Sequence, residues 1–342
     1  MYVLRTFKEE SVLTRNTRGI LAAAAIAGML ALASCSSSGG DADADAGAAD
    51  DSSGELVTVN AGFIPVVDVA ALYLGEEKGF FEEAGIDLEI NIGASGSALL
   101  PSVVSGEYDF AFSNMVSLLQ ARSQGLDVQI IASGSSSTGE EGADVTMIHS
   151  DEFTAGELEG KTVSVNARGN LLEMLGRVGI DAAGADSSKV NFIELPFAEA
   201  IAALESGKID AMVGAEPFGT AAIEAGYPVI SSPYLEMSGD SMMTSAYYTS
   251  GEQLEADPEL FAALTEAIDK SLEYAQEHPD EVRAQLGKFT QLDEQVAASM
   301  ILPSYSSAVS EDAVAIFSDF AVKYGLITEP IEAADLIADI RG

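Results

Sequence analysis

Between residues 57 and 114 the hydrophobic pattern keeps switching between the strand period and the helix period, and that alternation limits the fold more than any other feature. Val57-Thr-Val-Asn-Ala61 is a short β-branched run that ends at Gly62 and Pro65. Ala70, Tyr73 and Leu74, joined by Phe81, fall on one helical face, with Asp68 placed as an N-cap. Gly85 stops that helix, and Ile86-Asp-Leu-Glu-Ile-Asn-Ile92 alternates with period two. Residues 99–104 read as helix and residues 108–112 as a strand. Strands and helices alternating at this spacing favour an α/β fold, with a parallel sheet and a ligand cleft at the strands' C-terminal ends.

The same grammar continues downstream. Residues 128–131 and 145–148 read as strands around a polar, Gly-rich stretch, 133–142, that suits a crossing between lobes. Lys161-Thr-Val-Ser-Val165 opens a second unit: a helix through Leu171, Leu172 and Leu175, strand 190–195, helix 198–205 and strand 211–214. Ser206-Gly-Lys-Ile-Asp-Ala211 repeats Ser105-Gly-Glu-Tyr-Asp-Phe110, which supports an internal duplication. Residues 243–249 form a strand-like return crossing. Helical spacing follows in Phe261, Leu264, Ile268, Leu272 and Ala275, behind an Asp257 cap and Pro258 at the first position.

The N-terminus reads as a targeting segment rather than part of the fold. Arg5, Lys8, Arg15 and Arg18 precede an uncharged apolar run, residues 20–33. That run is shorter than the roughly 20 residues a membrane-spanning helix needs. It ends in Leu32-Ala-Ser-Cys35, which resembles a bacterial lipobox, and the resemblance implies lipidation at Cys35 after removal of residues 1–34. Cys35 is the only cysteine, so no intramolecular disulfide or thiolate metal site is available. Residues 35–54 are rich in Ser, Gly, Asp and Ala and read as a flexible acidic tether spanning on the order of 25 Å.

Three phrases carry a family resemblance: Ala70-Ala-Leu-Tyr-Leu-Gly-Glu-Glu-Lys-Gly-Phe-Phe81, Gly85-Ile-Asp-Leu-Glu-Ile90 and Val104-Ser-Gly-Glu-Tyr-Asp-Phe110. They resemble the solute-binding proteins of ABC importers for nitrate, sulfonate, taurine and thiamine-precursor pyrimidines. The resemblance implies a type II periplasmic-binding architecture, two lobes each with a mainly parallel sheet flanked by helices. Lobe 1 would be discontinuous, residues 55–146 plus 247–342, and lobe 2 would be residues 147–246. It also implies a monomer that needs no cofactor, takes a small-molecule solute, and delivers it to a membrane permease served by a cytoplasmic ATPase. An extracytoplasmic sensor or adhesin built on the same fold is the alternative.

The net charge of −39 argues against nucleic acid as a partner, because no basic cluster is present to meet phosphates. Catalytic groups are scarce. There are two histidines, His149 and His278, each heading an H-x-x-E without a third ligand, and neither a Walker loop nor a G-x-S-x-G elbow occurs. Binding chemistry is better supplied. A loop that enters a helix offers free N–H groups and the positive end of the helix dipole. Four such loops are Phe63-Ile-Pro-Val-Val-Asp68, Gly93-Ala-Ser-Gly-Ser97, Asn166-Ala-Arg-Gly-Asn170 and Ala215-Glu-Pro-Phe218. The candidate ligand contacts are Phe63, Asp68, Ser95, Gly96, Ser97, Asn114, Arg168, Asn170 and Glu216. Ser95, Ser97, Asn114 and Asn170 are equally suited to cap the helices that follow. Arg168, the only basic residue of these loops, suits a sulfonate or carboxylate, or is a solvated surface arginine; Asp68 and Glu216 suit amino or hydroxyl donors.

Overall fold

The computed structural model describes residues 55–93, 95–142, 146–290 and 294–340. The targeting segment, Cys35 and the acidic tether lie outside the described residues, as does Ala94 of the second candidate loop. Two five-stranded sheets carry the chain. The first half runs β1 (Val57–Phe63), α1 (Ala70–Glu77), α2 (Phe80–Glu83), β2 (Ile86–Ile92), α3 (Gly96–Val104), β3 (Phe110–Asn114), α4 (Met115–Ser123) and β4 (Val128–Ser133). The second is β5 (Thr146–His149), β6 (Thr162–Val165), α5 (Leu171–Ala182), β7 (Asn191–Glu194), α6 (Phe197–Glu205), β8 (Ala211–Ala215), α7 (Phe218–Glu224), β9 (Val229–Ser231) and α8 (Pro233–Ser238). The chain then returns through β10 (Ser245–Ser250) into α9 (Gly251–Ala256), α10 (Pro258–Glu277), α11 (Pro279–Phe289), α12 (Glu294–Ser299), α13 (Glu311–Lys323) and α14 (Ala333–Leu336).

The first sheet has the order β2-β1-β3-β10-β4 and the second β7-β6-β8-β5-β9. Within each, the first three strands pair in parallel and the fourth runs antiparallel to both neighbours. The two halves therefore share one design. In the first, the antiparallel strand is the last to arrive; in the second, it is the first.

The repeated hexamer is the seam of that design. Gly106 and Gly207 turn the chain at φ +75 and +64, a region that favours glycine. Asp109 then accepts a 2.7 Å bond at Oδ2 from the Asn60 N–H, and its own N–H donates to the Asn60 carbonyl at 2.8 Å. Asp210 does the same with Thr162, at the same distances. Each aspartate thus locks the entry of the third strand to the first.

Burial follows the strand pattern. Val59, Ala61 and Phe63 of β1 are fully buried under α1 and α10, whose Phe261, Leu264, Ile268, Leu272 and Ala275 form the matching stripe. Asp257 caps α10 by accepting from the Leu260 N–H, with Pro258 in the first turn. Two local readings change. Gly79, at φ +79, splits the expected first helix into α1 and α2. Asp68 caps neither α1 nor the 3₁₀ turn Val67–Val69 that contains it, because its carboxylate is turned toward the crossing segment.

The crossings pair with each other. Ser136 bridges antiparallel to Met243 and to Ser304, and Ser137 N–H donates to the Met242 carbonyl. Thr146 stands in the second sheet and Ser245 in the first. The C-terminal helices pack mainly on the first half: α10 and α11 on α1, α13 on α4, and α14 on β4, where Ala338 N–H donates to the Ile130 carbonyl.

Candidate functional site

Strands β1, β3, β6, β7 and β8 of the two sheets aim their C-terminal ends at one shared cavity of about 110 Å³. Ile64, Val66 and Asp68 follow β1, Asn114 ends β3, Asn166 follows β6, Phe197 follows β7, and Ala215 and Glu216 follow β8. Phe112, Thr244 and Ser245 complete the side of the first sheet. Thr146, Asn170, Leu171, Leu172 and Tyr234 complete that of the second. This is where ligands collect in open α/β sheets, just outside the strand ends. The volume is roughly seven to ten times the minimum for one water, room for a small organic molecule.

Among the described residues the lining is apolar and aromatic with a few amides, hydroxyls and two carboxyls, and includes no lysine or arginine. Asp68 accepts a 2.5 Å bond at Oδ1 from Ser135 Oγ. Burial pushes its carboxyl above the usual range, against the lowering effect of that bond. Glu216 is 2% exposed. Its Oε1 accepts from Thr220 Oγ1 at 2.8 Å and from the Ile301 N–H at 3.3 Å, and its Oε2 accepts from the Thr220 N–H at 3.1 Å. Burial raises this carboxyl too, with the Thr220 and Ile301 bonds and more distant Arg283 opposing. The two acids stand on opposite sheets, so the cavity offers acceptors from both sides.

Four of the nine candidate contacts meet at this cavity: Asp68, Asn114, Asn170 and Glu216. Asn114 also caps α4 by accepting from the Ser117 N–H, and Asn170 caps α5 through the Leu171 N–H. Capping and lining thus coexist. The other five are held elsewhere, each for a visible reason. Phe63 points into the core, where it meets Tyr73, Phe110 and Tyr247 at ring-centroid distances near 6 Å. Ser95 caps α3 through the Ala98 N–H and lies 3.1 Å from Ser97 Oγ. Gly96 is packed so closely on Ser113 that a Cβ would fall 2.4 Å from its Oγ. Arg168, read as either an anion ligand or a surface arginine, donates from Nε to Glu173 Oε2 at 2.6 Å and from Nη1 to the Phe192 carbonyl. Its side chain is half exposed on the flank of α5.

Phe112, Phe197 and Tyr234 were not among the candidates. Phe197 opens α6, separated from β7 by two residues, a further strand-to-helix junction beside the four loops and the one at Ser113-Asn114. Its ring stacks on Phe218 at 5.0 Å. Tyr234 comes from a helix after the last strand of the second sheet, and no local pattern marks it.

The rim is closed by contacts between the halves. Gln120 of α4 donates to the Gly169 carbonyl at 3.0 Å, and Asn170 Nδ2 donates to Ser117 Oγ at 3.2 Å. Farther along α5, Tyr324, just after α13, donates to Asp181 at 2.8 Å. His149 is buried under the Tyr227 carbonyl and His278 stacks on Tyr274, both away from the cavity lining.

Comparison with known proteins agrees with this geometry. The family described as NMT1/THI5 like matches residues 66–282. The formylaminopyrimidine-binding protein of Halalkalibacterium halodurans is 28% identical over 243 residues, which is 68% of this chain and 70% of that protein. The aliphatic sulphonate binding protein SsuA of Escherichia coli superposes with a TM-score of 0.70 at 16% identity, covering 82% of this chain and 92% of that one. The nitrate-binding protein NrtA of Synechocystis PCC 6803 gives 0.66 at 16% identity, over 80% and 83%. At such identities the two structures speak for the fold, the type II periplasmic-binding architecture with a cleft between two lobes.

Proposed function

This chain belongs to the NMT1/THI5-like family, and from that premise we propose that it is the extracytoplasmic solute-binding component of an ABC importer, selective for a small, flat, donor-bearing heterocycle of the aminopyrimidine kind. The observation that carries the reading is the cavity itself. Asp68 and Glu216 supply acceptors from opposite lobes, Phe112, Phe197 and Tyr234 supply apolar and aromatic surface, and among the described residues no cationic side chain lines it. A sulfonate, nitrate or bicarbonate would face two carboxyls without a counter-charge, at a high desolvation cost. A neutral or cationic ring with amino groups satisfies those acceptors instead. The formylaminopyrimidine-binding relative supports the same choice.

The ligand contacts in this reading are Asp68, Asn114, Asn170 and Glu216, joined by the three aromatic residues. In this reading the lobes are residues 55–146 plus 247–342 and residues 147–246, except that Thr146 pairs in the second sheet and Ser245 and Ala246 pair in the first. Solute that touches both lobes favours the closed arrangement, because contacts from the second lobe exist only when the cleft shuts. The closed, monomeric protein then presents both lobes to a membrane permease with its ATPase. Lipidation at Cys35 and the 35–54 tether hold it at the membrane; Cys35→Ala releases it from a bacterial membrane fraction, and unchanged retention removes the lipid from this account.

A thermal-shift and calorimetry panel tests the ligand class: 4-amino-2-methylpyrimidine, its 5-aminomethyl derivative, taurine, methanesulfonate, nitrate and bicarbonate. A ligand at a hundred times its Kd stabilises the fold by about 2.7 kcal/mol. The aminopyrimidines are expected to give such a shift and the anions none. The reverse order would overturn the assignment.

A further inference from the structure

Asp68 is bonded to something other than the cavity it lines. Its Oδ1 accepts from Ser135 Oγ, and among the described residues no other side chain bonds to this carboxylate. Ser135 is fully buried, belongs to the first crossing segment and takes no part in the cavity wall. It is instead bound to the second crossing. Ser135 N–H donates to Ser245 Oγ at 2.9 Å, and the two hydroxyls are 2.8 Å apart. The Ser135 carbonyl accepts from Thr244 N–H at 2.8 Å and from Thr244 Oγ1 at 3.1 Å.

Proton counting gives this network a direction. Each hydroxyl has one proton to donate. Ser135 gives its proton to Asp68, so Ser245 must give its own to Ser135 Oγ, while Ser245 Oγ receives the Ser135 N–H. The chain runs from the second crossing through the first and ends on the carboxylate. Hydrogen bonds in such a series polarise one another, and a charged acceptor at the end strengthens them. Thr244 and Ser245 also line the cavity, so both ends of the chain reach the ligand space.

We propose that Ser135 is a positioning residue that makes the hinge respond to the solute at Asp68: a donor from the solute on the Asp68 carboxylate sets the acceptor strength felt by Ser135 and, through it, the pairing of the two crossing segments. Solutes that fill the cavity without a donor at that point leave the crossing pairs unaltered and are discriminated against at closure. The ligand-dependent half of this proposal rests on the solute-binding reading above; the link between Asp68 and the crossings does not.

Two measurements on the full chain separate the halves. The first needs no ligand: amide hydrogen exchange at Ser135, Thr244 and Ser245. Asp68→Ala is expected to speed these amides by about tenfold and Asp68→Asn by less, in keeping with the loss of one charge-assisted bond. Unchanged exchange in both variants overturns the coupling, whatever the protein binds. The second compares 4-amino-2-methylpyrimidine with 2,4-dimethylpyrimidine, which replaces the donor by a methyl group. The wild type is expected to prefer the amino compound at least tenfold. Ser135→Ala brings the preference close to one although it alters no cavity-lining atom, and Ser135→Thr restores it. Ser137→Ala, which removes another buried crossing hydroxyl bonded to Met242 N–H, leaves the preference intact. Full preference in Ser135→Ala overturns the proposal. If the wild type binds neither pyrimidine while exchange still responds to Asp68→Ala, the ligand class fails and the coupling stands.

Discussion

The two lobes agree closely where they hold themselves together and differ where they face the solute. Asp109 and Asp210 make the same pair of bonds, at the same distances, to the first strand of their own sheet. Gly75 and Gly179 show the same kind of kinship: each lets a helix settle onto a serine, Ser271 and Ser231, where a Cβ would lie within about 2 Å of the hydroxyl. The acids of the cavity share no such plan. Asp68 bonds to a crossing segment, whereas Glu216 bonds to the first turn of its own helix and to Ile301 of the C-terminal region. A duplicated frame thus carries unlike edges, and selectivity resides in the part that the duplication did not preserve.

The comparison can be broken most forcefully at the glycines. Gly75→Val and Gly179→Val should each destabilise the fold by about 3 kcal/mol through overpacking, measured by denaturant unfolding. A large loss at only one of them would show that the lobes do not share this contact energetically. Asp109→Ala and Asp210→Ala come next, at about 2 kcal/mol each, because the N–H of Asn60 or of Thr162 loses its side-chain acceptor. The two sites are distant enough for the double variant to be additive, and ligand affinity should not change.

Smaller effects sharpen the unlike side. Phe197→Ala should weaken aminopyrimidine binding by about tenfold, or about 1.4 kcal/mol, with little change in unfolding midpoint. Phe63→Leu, in the core, should do the opposite, lowering stability and sparing affinity. The smallest effect is a slope with pH. Glu216 has a folded value above its ordinary 4.5, so over that window the folded chain holds a proton that the unfolded chain has released. Stability then falls as pH rises from near 4.5 through the folded value, and is level beyond it. Subtracting the curve of Glu216→Gln from that of the wild type should isolate this slope. A difference that rises with pH would mean that the Thr220 and Ile301 bonds outweigh burial.

Much of the frame was legible because its signals are local. The Asp257-Pro258 start, the period-two run of β2 and the paired Ser-Gly-x-x-Asp phrases each act within a few residues. The reading of the cavity was less complete. Arg168 was singled out as the only cation in the loops, yet its partners are a glutamate one turn into the next helix and a carbonyl on a neighbouring strand, and only the fold brings that carbonyl near. Tyr234 resembles a core residue to any periodicity rule, since it is buried, and Phe197 reads as an ordinary half-buried residue in the first turn of a helix. Ser95 and Ser97 were placed in the right kind of loop but are occupied with α3 itself. Asp68 reads as a cap of the helix that follows it, whereas its carboxylate bonds to Ser135, 67 positions away, beyond the reach of any local signal.

One feature of the first sheet also governs how the molecule is made. Its fourth strand, β10, fits between β3 and β4 and reaches them only after the chain has passed through the whole of the second sheet; the serine pair that joins the crossings is separated by 110 positions. During synthesis the second lobe can therefore mature as an uninterrupted segment, while the first waits with two strands whose facing edges are unsatisfied. Such edges invite pairing with other chains. Self-association of nascent protein should accordingly begin at β3 and β4, and a short peptide spanning β10 should suppress it.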